Sequence, residues 1–363
     1  MKEWQKALLT LLGSIVIFLL ACEIVLRFLP VRSGFETPVV DIDHPYLHHK
    51  PNFDYVFSDG GLLTNVNRGH SNNYGAINDQ DYDSMDPRPL LAVIGDSYIE
   101  AAMIPFPQTI EARLSADAGP QRRVYSFGSS GASLADYLAY SEFVHNTFNA
   151  QWMVVNVVAN DFDEMLLRYK REAAFHYYIE NPDGTLRLTL LEYHPSWLDA
   201  VARHSALCRY LVLNIGTTPI GFRIHNWLKF GHLNGVEAVP TPDPERIAWS
   251  KRAVDQVLSE FPIRSGLEPS HILFLIDSYR VFDTAQVAAQ QQTFFGVMRT
   301  YFINEARARS FEVADLQDWF SYRHEADGAV FQFPDDAHWN ATGHEEATKA
   351  VLASHVWRDF QAH

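Results

Sequence analysis

Leu90-Leu91-Ala92-Val93-Ile94-Gly95-Asp96-Ser97-Tyr98 is the stretch on which the fold turns. Five apolar residues in unbroken succession fit a strand buried on both faces, as the inner strands of a parallel sheet are. The run stops at a glycine, and a carboxylate and a hydroxyl follow at once. In open parallel sheets ligands bind beyond the carboxyl ends of the strands, so Asp96 and Ser97 stand where chemistry is expected.

Downstream of this stretch, short apolar runs alternate with helical periods. Residues 109–114 begin a helix that ends near Gly119-Pro120, 124–127 form a second strand and 134–148 a second helix. Residues 153–158 read as a third strand and 272–276 as a fourth. A helical face carries Ile247, Val254, Val257, Leu258 and Phe261. A helix over 287–302, a fifth strand over 311–316 and a last helix from 342 to about 357 complete the pattern. Alternation of this kind predicts one α/β domain over residues 86–363, a flavodoxin-like three-layer parallel sheet wrapped by helices.

A long insertion over 162–241 interrupts the alternation. Within it, 176–180, the turn residues Asn181-Pro182-Asp183-Gly184, and 185–193 predict a hairpin. Its aromatics, among them Tyr169, Phe175, Tyr177, Tyr178, Tyr193 and Trp197, fit either a satellite core or a lid over the site.

Four pieces fall at the strand ends: Gly95-Asp96-Ser97, then Gly128-Ser129-Ser130-Gly131, then Ala159-Asn160-Asp161, and finally Asp335-Asp336-Ala337-His338-Trp339-Asn340 before the last helix. A serine hydroxyl is a weak nucleophile until a base takes its proton, and His338 can serve Ser97 in that way. The imidazole needs a carboxylate to hold its tautomer and offset its charge. Asp335 is assigned that place over the adjacent Asp336, on its three-residue spacing. An oxyanion would need donors, for which the Ser97 backbone N–H, a backbone N–H at Gly131 and the Asn160 amide are the candidates. Asp96 is expected to hold the turn, Trp339 to pack, and His344 to be an ordinary first-turn helix residue.

In this order the four pieces resemble the SGNH or GDSL hydrolases. Gly95-Asp96-Ser97 resembles the first block, Gly131 the second, Asn160 the third, and Asp335 with His338 the fourth. The likeness spans residue 90 to the C-terminus without the insertion. It departs at Val158, where the third block usually has glycine, and at Ser126, where asparagine is common. The resemblance implies attack by Ser97 on an ester carbonyl, an acyl-enzyme, and its resolution by water or an acceptor hydroxyl, with no metal and no organic cofactor. By analogy with anchored envelope domains, it points to an O-acetyl ester on a carbohydrate. A polysaccharide O-acyltransferase using the same residues is the nearest alternative, and a non-catalytic scaffold or binding module of an envelope assembly is another. A nucleotide-binding flavodoxin-like domain is disfavoured, because no glycine-rich phosphate loop follows the first strand. Ile99 at the last position also excludes the Gly-x-Ser-x-Gly elbow.

Upstream, residues 7–22 carry no charge and the apolar run continues to Leu29, broken by Glu23 and Arg27. Residues 7–29 are long enough to span a bilayer, behind a six-residue tail with Lys2 and Lys6. Arg27 can pair with Glu23 and snorkel to the headgroups. No small-x-small cleavage site ends the run, and apolar residues follow the lipobox-like Leu19-Leu20-Ala21-Cys22, so an uncleaved single-pass anchor is expected. The short tail favours a catalytic domain outside the cytoplasm. Residues 30–85 read as a proline-rich linker and an irregular lead-in. His44, His48 and His49 in that linker read as solvated side chains and not as metal ligands.

The chain of 363 residues has 29 basic against 44 acidic side chains, a formal net charge of −15. Such a surface is a poor match for nucleic-acid phosphates, so no nucleic-acid partner is expected. With only Cys22 and Cys208, a disulfide framework and a cysteine zinc site are improbable.

Overall fold

The computed structural model describes residues 2–34, 36–216, 243–334 and 336–363. The chain opens with α1 (Glu3–Arg27), whose apolar side chains from Leu8 to Val25 are almost all exposed. Two strands, β1 (Phe53–Asp59) and β2 (Thr64–Ser71), pair as an antiparallel hairpin. The sheet begins with β3 (Leu90–Gly95), followed by the single-turn α2 (Ser97–Glu100), α3 (Ile110–Ala118), β4 (Arg123–Gly128), α4 (Leu134–Phe148) and β5 (Trp152–Val157).

The insertion contributes α5 (Asp161–Glu164), the hairpin β6 (His176–Glu180) with β7 (Leu186–Leu190), α6 (Trp197–His204), α7 (Ala206–Arg209) and a π-helical turn, Tyr210–Asn214. The hairpin expected over 176–193 is therefore present, with a shorter second strand. Residues 217–241 of the insertion lie outside the described residues. The core resumes with α8 (Pro244–Ser265), β8 (Ile272–Ile276), α9 (Thr284–Gln290), α10 (Phe294–Ala308), β9 (Glu312–Asp315), α11 (Leu316–Asp327), α12 (Ala341–Leu352) and α13 (His355–Ala362).

The five sheet strands run parallel in the order β4-β3-β5-β8-β9, which is the 2-1-3-4-5 order of flavodoxin-like sheets. Alternate residues of β3 enter different layers. Leu90, Ala92 and Ile94 join the core under α4, α8 and α10, while Leu91 and Val93 join the one under α3, α12 and α13. All six residues of β3 are buried, as the unbroken apolar run requires. The expected three-layer α/β fold is the fold observed.

Helix limits follow side-chain chemistry. Thr109 accepts the Ala112 N–H at the start of α3, and Asn340 accepts those of Thr342 and Gly343 at the start of α12. Caps also account for departures from expectation. Thr293 starts α10, so 287–302 is split between two helices, and Ser354 starts α13, so the last helix is broken in two. The lead-in is not irregular either. Tyr55 and Phe57 of its hairpin are buried against Ile77 and the residues 101–104 that follow α2.

Candidate active site

The turn that carries Ser97 is made by close packing. A Cβ at Gly95 would lie 2.4 Å from Ile99 Cγ1, and one at Gly128 would lie 2.2 Å from the Glu100 nitrogen. Only glycines at these two strand ends let α2 sit down on β3 and β4, which carries Ser97 onto the carboxyl edge of the sheet. Asp96 accepts the Tyr98 N–H at 2.9 Å through Oδ1, holding the turn as expected. Burial pushes its carboxyl up to about 6, against the pull of the Tyr98 hydrogen bond and His338. Behind it, burial and the Asp96 charge push Asp161 well above the carboxylate range, and Asp161 accepts from the Val158 N–H and the Tyr137 hydroxyl.

His338 approaches from the loop between α11 and α12. Its Nε2 lies 2.7 Å from Ser97 Oγ, and its Nδ1 lies 2.5 Å from Asp336 Oδ1. The carboxylate at the imidazole is therefore Asp336, in place of the expected Asp335; Asp335 itself lies outside the described residues. The physical reason is an Asx turn. Asp336 Oδ1 also accepts the His338 backbone N–H at 3.1 Å, and a two-residue spacing closes that ring while bringing the same carboxylate to Nδ1. Burial would raise the Asp336 carboxyl, yet the hydrogen bond and charge of His338 hold it below its ordinary value.

The loop is clamped from beneath. Tyr98 Oη donates to the Ala337 carbonyl at 2.8 Å, and Arg280 donates to both Tyr98 Oη and Asp277 at 2.8 Å. Trp339 is fully buried, and its Nε1–H donates to Asp277 at 2.8 Å, so the packing role expected for it carries a polar tie as well. His344 is buried, and its Nδ1 accepts the Ile110 N–H at 3.2 Å, which makes it a joint between α12 and α3. Burial pulls its imidazole down to about 3, so it stays neutral.

Ser97 and His338 border a cavity of about 170 Å³. Its other walls are Ser130, Glu100 and Asp336 from the sheet side, and Arg32, Phe57 and Asp59 from the lead-in. A cleft of about 480 Å³ lies elsewhere, bordered by Phe143, His176, Leu190 and Arg264, and is larger but holds neither Ser97 nor His338.

Glu100 is buried; His49 meets one of its oxygens and the Ser130 hydroxyl donates to the other. Burial would raise its carboxyl, but His49 and Ser130 hold it below the ordinary value. His49 is thus a partly buried partner of a cavity residue, not a solvated linker side chain. His48 is partly buried too, with Nδ1 2.7 Å from the His49 carbonyl. His44 is exposed beside Asp41. Among the described residues no cluster of histidine, cysteine and carboxylate side chains could hold a metal. The Arg32 guanidinium stacks on Phe57 at 4.4 Å.

Gly131 and Asn160 lie on the neighbouring strand-end loops. Gly131 has φ +84°, a left-handed conformation that suits glycine. Lys170 donates to its carbonyl at 2.5 Å and to Glu164 at 2.8 Å, and the Asn160 amide donates to the same Glu164 oxygen at 3.2 Å. The structure brings these two together through Lys170 and Glu164, and neither borders the cavity shared by Ser97 and His338. Arg32, Phe57, Asp59, Glu100 and His49 escaped sequence reading. The alternation around Tyr55 and Phe57, followed by Asp59-Gly60-Gly61, is the hairpin signal that could have found the lead-in wall.

Sheet order and site together define a flavodoxin-like α/β protein with a serine, an imidazole and a carboxylate in hydrogen-bonded sequence at a strand end. No protein-family model and no curated protein matches the chain. Among solved structures it is similar to an acetyl xylan esterase, with 9% identity, a TM-score of 0.41, and coverage of 73% of this chain and 98% of that one. It is also similar to the lipase/acylhydrolase from Enterococcus faecalis, at 12% identity and TM-score 0.38, covering 76% and 96%. A member of the lipolytic protein G-D-S-L family from Veillonella parvula is similar at 9% identity and TM-score 0.37, covering 72% and 96%.

Proposed function

We propose that the chain is a serine-dependent ester hydrolase of the SGNH kind. The observation that carries this reading is the 2.7 Å contact between Ser97 Oγ and His338 Nε2, with Asp336 on the far ring nitrogen. Ser97 Oγ attacks the ester carbonyl carbon as His338 Nε2 takes the hydroxyl proton. Asp336 offsets the imidazolium charge and keeps Nδ1 as the donor, the arrangement general-base catalysis by histidine requires. We place the oxyanion at the Ser97 backbone N–H, with Gly131 and the Asn160 amide on the neighbouring strand-end loops as the candidate further donors. The tetrahedral intermediate collapses, His338 returns its proton to the leaving alkoxide, and the acyl-enzyme is then opened by an acceptor that His338 deprotonates in turn.

A short O-acyl group, acetyl above all, on an envelope carbohydrate is the substrate class we favour. A cavity of about 170 Å³ supports a short acyl chain, and Arg32, Asp59 and Glu100 at its walls supply donors and acceptors for sugar hydroxyls. The same polar walls favour a second reading, in which a sugar hydroxyl and not water takes the acyl group. Residues 7–29 serve as a single-pass anchor, a reading supported by the exposed apolar surface of α1, and the short N-terminal tail favours a catalytic domain outside the cytoplasm. The test is a fluorophosphonate probe on the purified full chain. Labelling mapped to Ser97, and lost in Ser97→Ala, supports the hydrolase; an unreactive Ser97 would leave a binding module. Tracing the acetyl of a labelled ester into water or into an added oligosaccharide then separates hydrolysis from transfer.

A further inference from the structure

The insertion does not hang free of α1. Glu23 accepts the Ala206 and Leu207 N–H groups and the Ser205 hydroxyl, at 2.8 to 3.0 Å. Arg27, at the end of α1, donates to the His204 carbonyl at 3.1 Å while keeping its ion pair with Glu23. Leu26, Val31 and Ala206 close a small buried cluster across the same joint. The junction of α6 and α7 is therefore fixed at the depth where α1 ends.

From that joint the chain turns through the π-helical turn Tyr210–Asn214, which has two faces. Inward, Tyr210 donates to the Gly61 carbonyl, and Asn214 ties Ser58 to the Arg32 backbone N–H. Outward, Val212, Leu213 and Ile215 are about two-fifths exposed or more, and Trp197 at the start of α6 is 73% exposed. The segment meets the apolar surface of α1 at Leu207, which borders one groove with Val16, Leu19 and Leu20, and two arginines stand at that joint, Arg27 donating to the His204 carbonyl and Arg209 to the Arg32 carbonyl at 3.0 Å. Apolar side chains flanked by arginines at the end of a membrane-spanning helix match the boundary between acyl chains and phosphate headgroups.

We propose that residues 197–215 form a second membrane contact, seating Val212, Leu213, Ile215 and Trp197 in the headgroup boundary of a phospholipid bilayer. The proposal rests on the reading of α1 as an anchor. Its consequence reaches the active site, because Asn214 holds both Arg32 and the strand that carries Phe57 and Asp59. Seating the insertion on lipid fixes one wall of the catalytic cavity and holds its mouth at a set height above the membrane. The catalytic body is then a docked body and not one swinging on a linker.

The test uses the full chain with Cys22→Ser and Cys208→Ser in vesicles of phosphatidylcholine and phosphatidylglycerol. Nitroxide labels are placed singly at Val16→Cys in the anchor, Leu213→Cys on the proposed contact, and Tyr322→Cys on the exposed face of α11. Collision with lipid-soluble oxygen is compared with collision with a water-soluble nickel chelate. A ratio severalfold higher at 213 than at 322, approaching that at 16, is the expected result. A ratio at 213 equal to that at 322, with 16 still lipid-exposed, overturns the second contact and leaves the anchor standing. A water-exposed label at 16 overturns the anchor, and the contact falls with it.

Discussion

The two walls of the cavity that Ser97 and His338 share make an instructive pair. On the sheet side, Ser97, Ser130, Asp336 and His338 sit on short turns pressed against strand ends, held by glycine close approach, a buried tryptophan and the Tyr98–Arg280–Asp277 clamp. On the other side, Arg32, Phe57 and Asp59 come from the chain before the sheet, held by a hairpin and by Asn214 of the insertion. One wall has its geometry set by the core; the other depends on segments appended to it. Chemistry should therefore fail when the first is changed, and substrate affinity when the second is.

The sharpest break is Ser97→Ala. It should lower ester turnover by about a million-fold, as loss of a triad serine does, with the circular dichroism spectrum unchanged. Near-normal turnover from a folded variant would remove the sheet-side wall from the chemistry. Next in size is Asp336→Asn, expected to cost about 10,000-fold in kcat because the wrong tautomer of His338 is then held. Asp335→Asn should stay within about tenfold, and the reverse order in paired kinetics would return the triad role to Asp335.

On the other wall, Arg32→Leu should raise KM by about tenfold and leave kcat within about threefold, the signature of lost binding rather than lost chemistry. A fall in kcat of the Asp336→Asn size would erase the distinction between the walls. The smallest effect on turnover belongs to the scaffold. Glu111 on α3 is buried, and burial pushes its carboxyl up to about 8. Between the ordinary glutamate value and about pH 8 the folded chain keeps a proton that the unfolded chain has lost, so stability falls as pH rises through that window. Glu111→Gln should be more stable than the parent by about 2 to 4 kcal/mol at pH 8, with the difference vanishing near pH 4 and turnover unchanged. Thermal melts at the two pH values measure it.

Much of the core was readable because its signals are local. The apolar runs at 90–94 and 272–276 are buried on both faces and need no alternation to be recognised. The long periods of α4 and α8 stand out for the same reason. The caps at Thr293 and Ser354 are single residues that split helices without disturbing the apolar period, so periodicity alone ran through them. The lead-in was lost for the opposite reason. Its composition is that of a linker, and only burial of Tyr55 and Phe57 against the residues after α2 turns it into a wall.

Sequence by itself determined the parallel α/β core, the placing of Ser97 and His338 at its carboxyl edge, and the apolar length of α1. Each rests on the order of apolar residues and turn formers along a short segment. Tertiary structure decided which of two adjacent carboxylates meets the imidazole, that the partly buried His49 meets the buried Glu100 close to Ser97, and that the insertion grips the end of α1. Those are contacts between groups far apart in the chain, or choices between neighbours of identical chemistry. Distance and direction settle them, and neither is written in residue order.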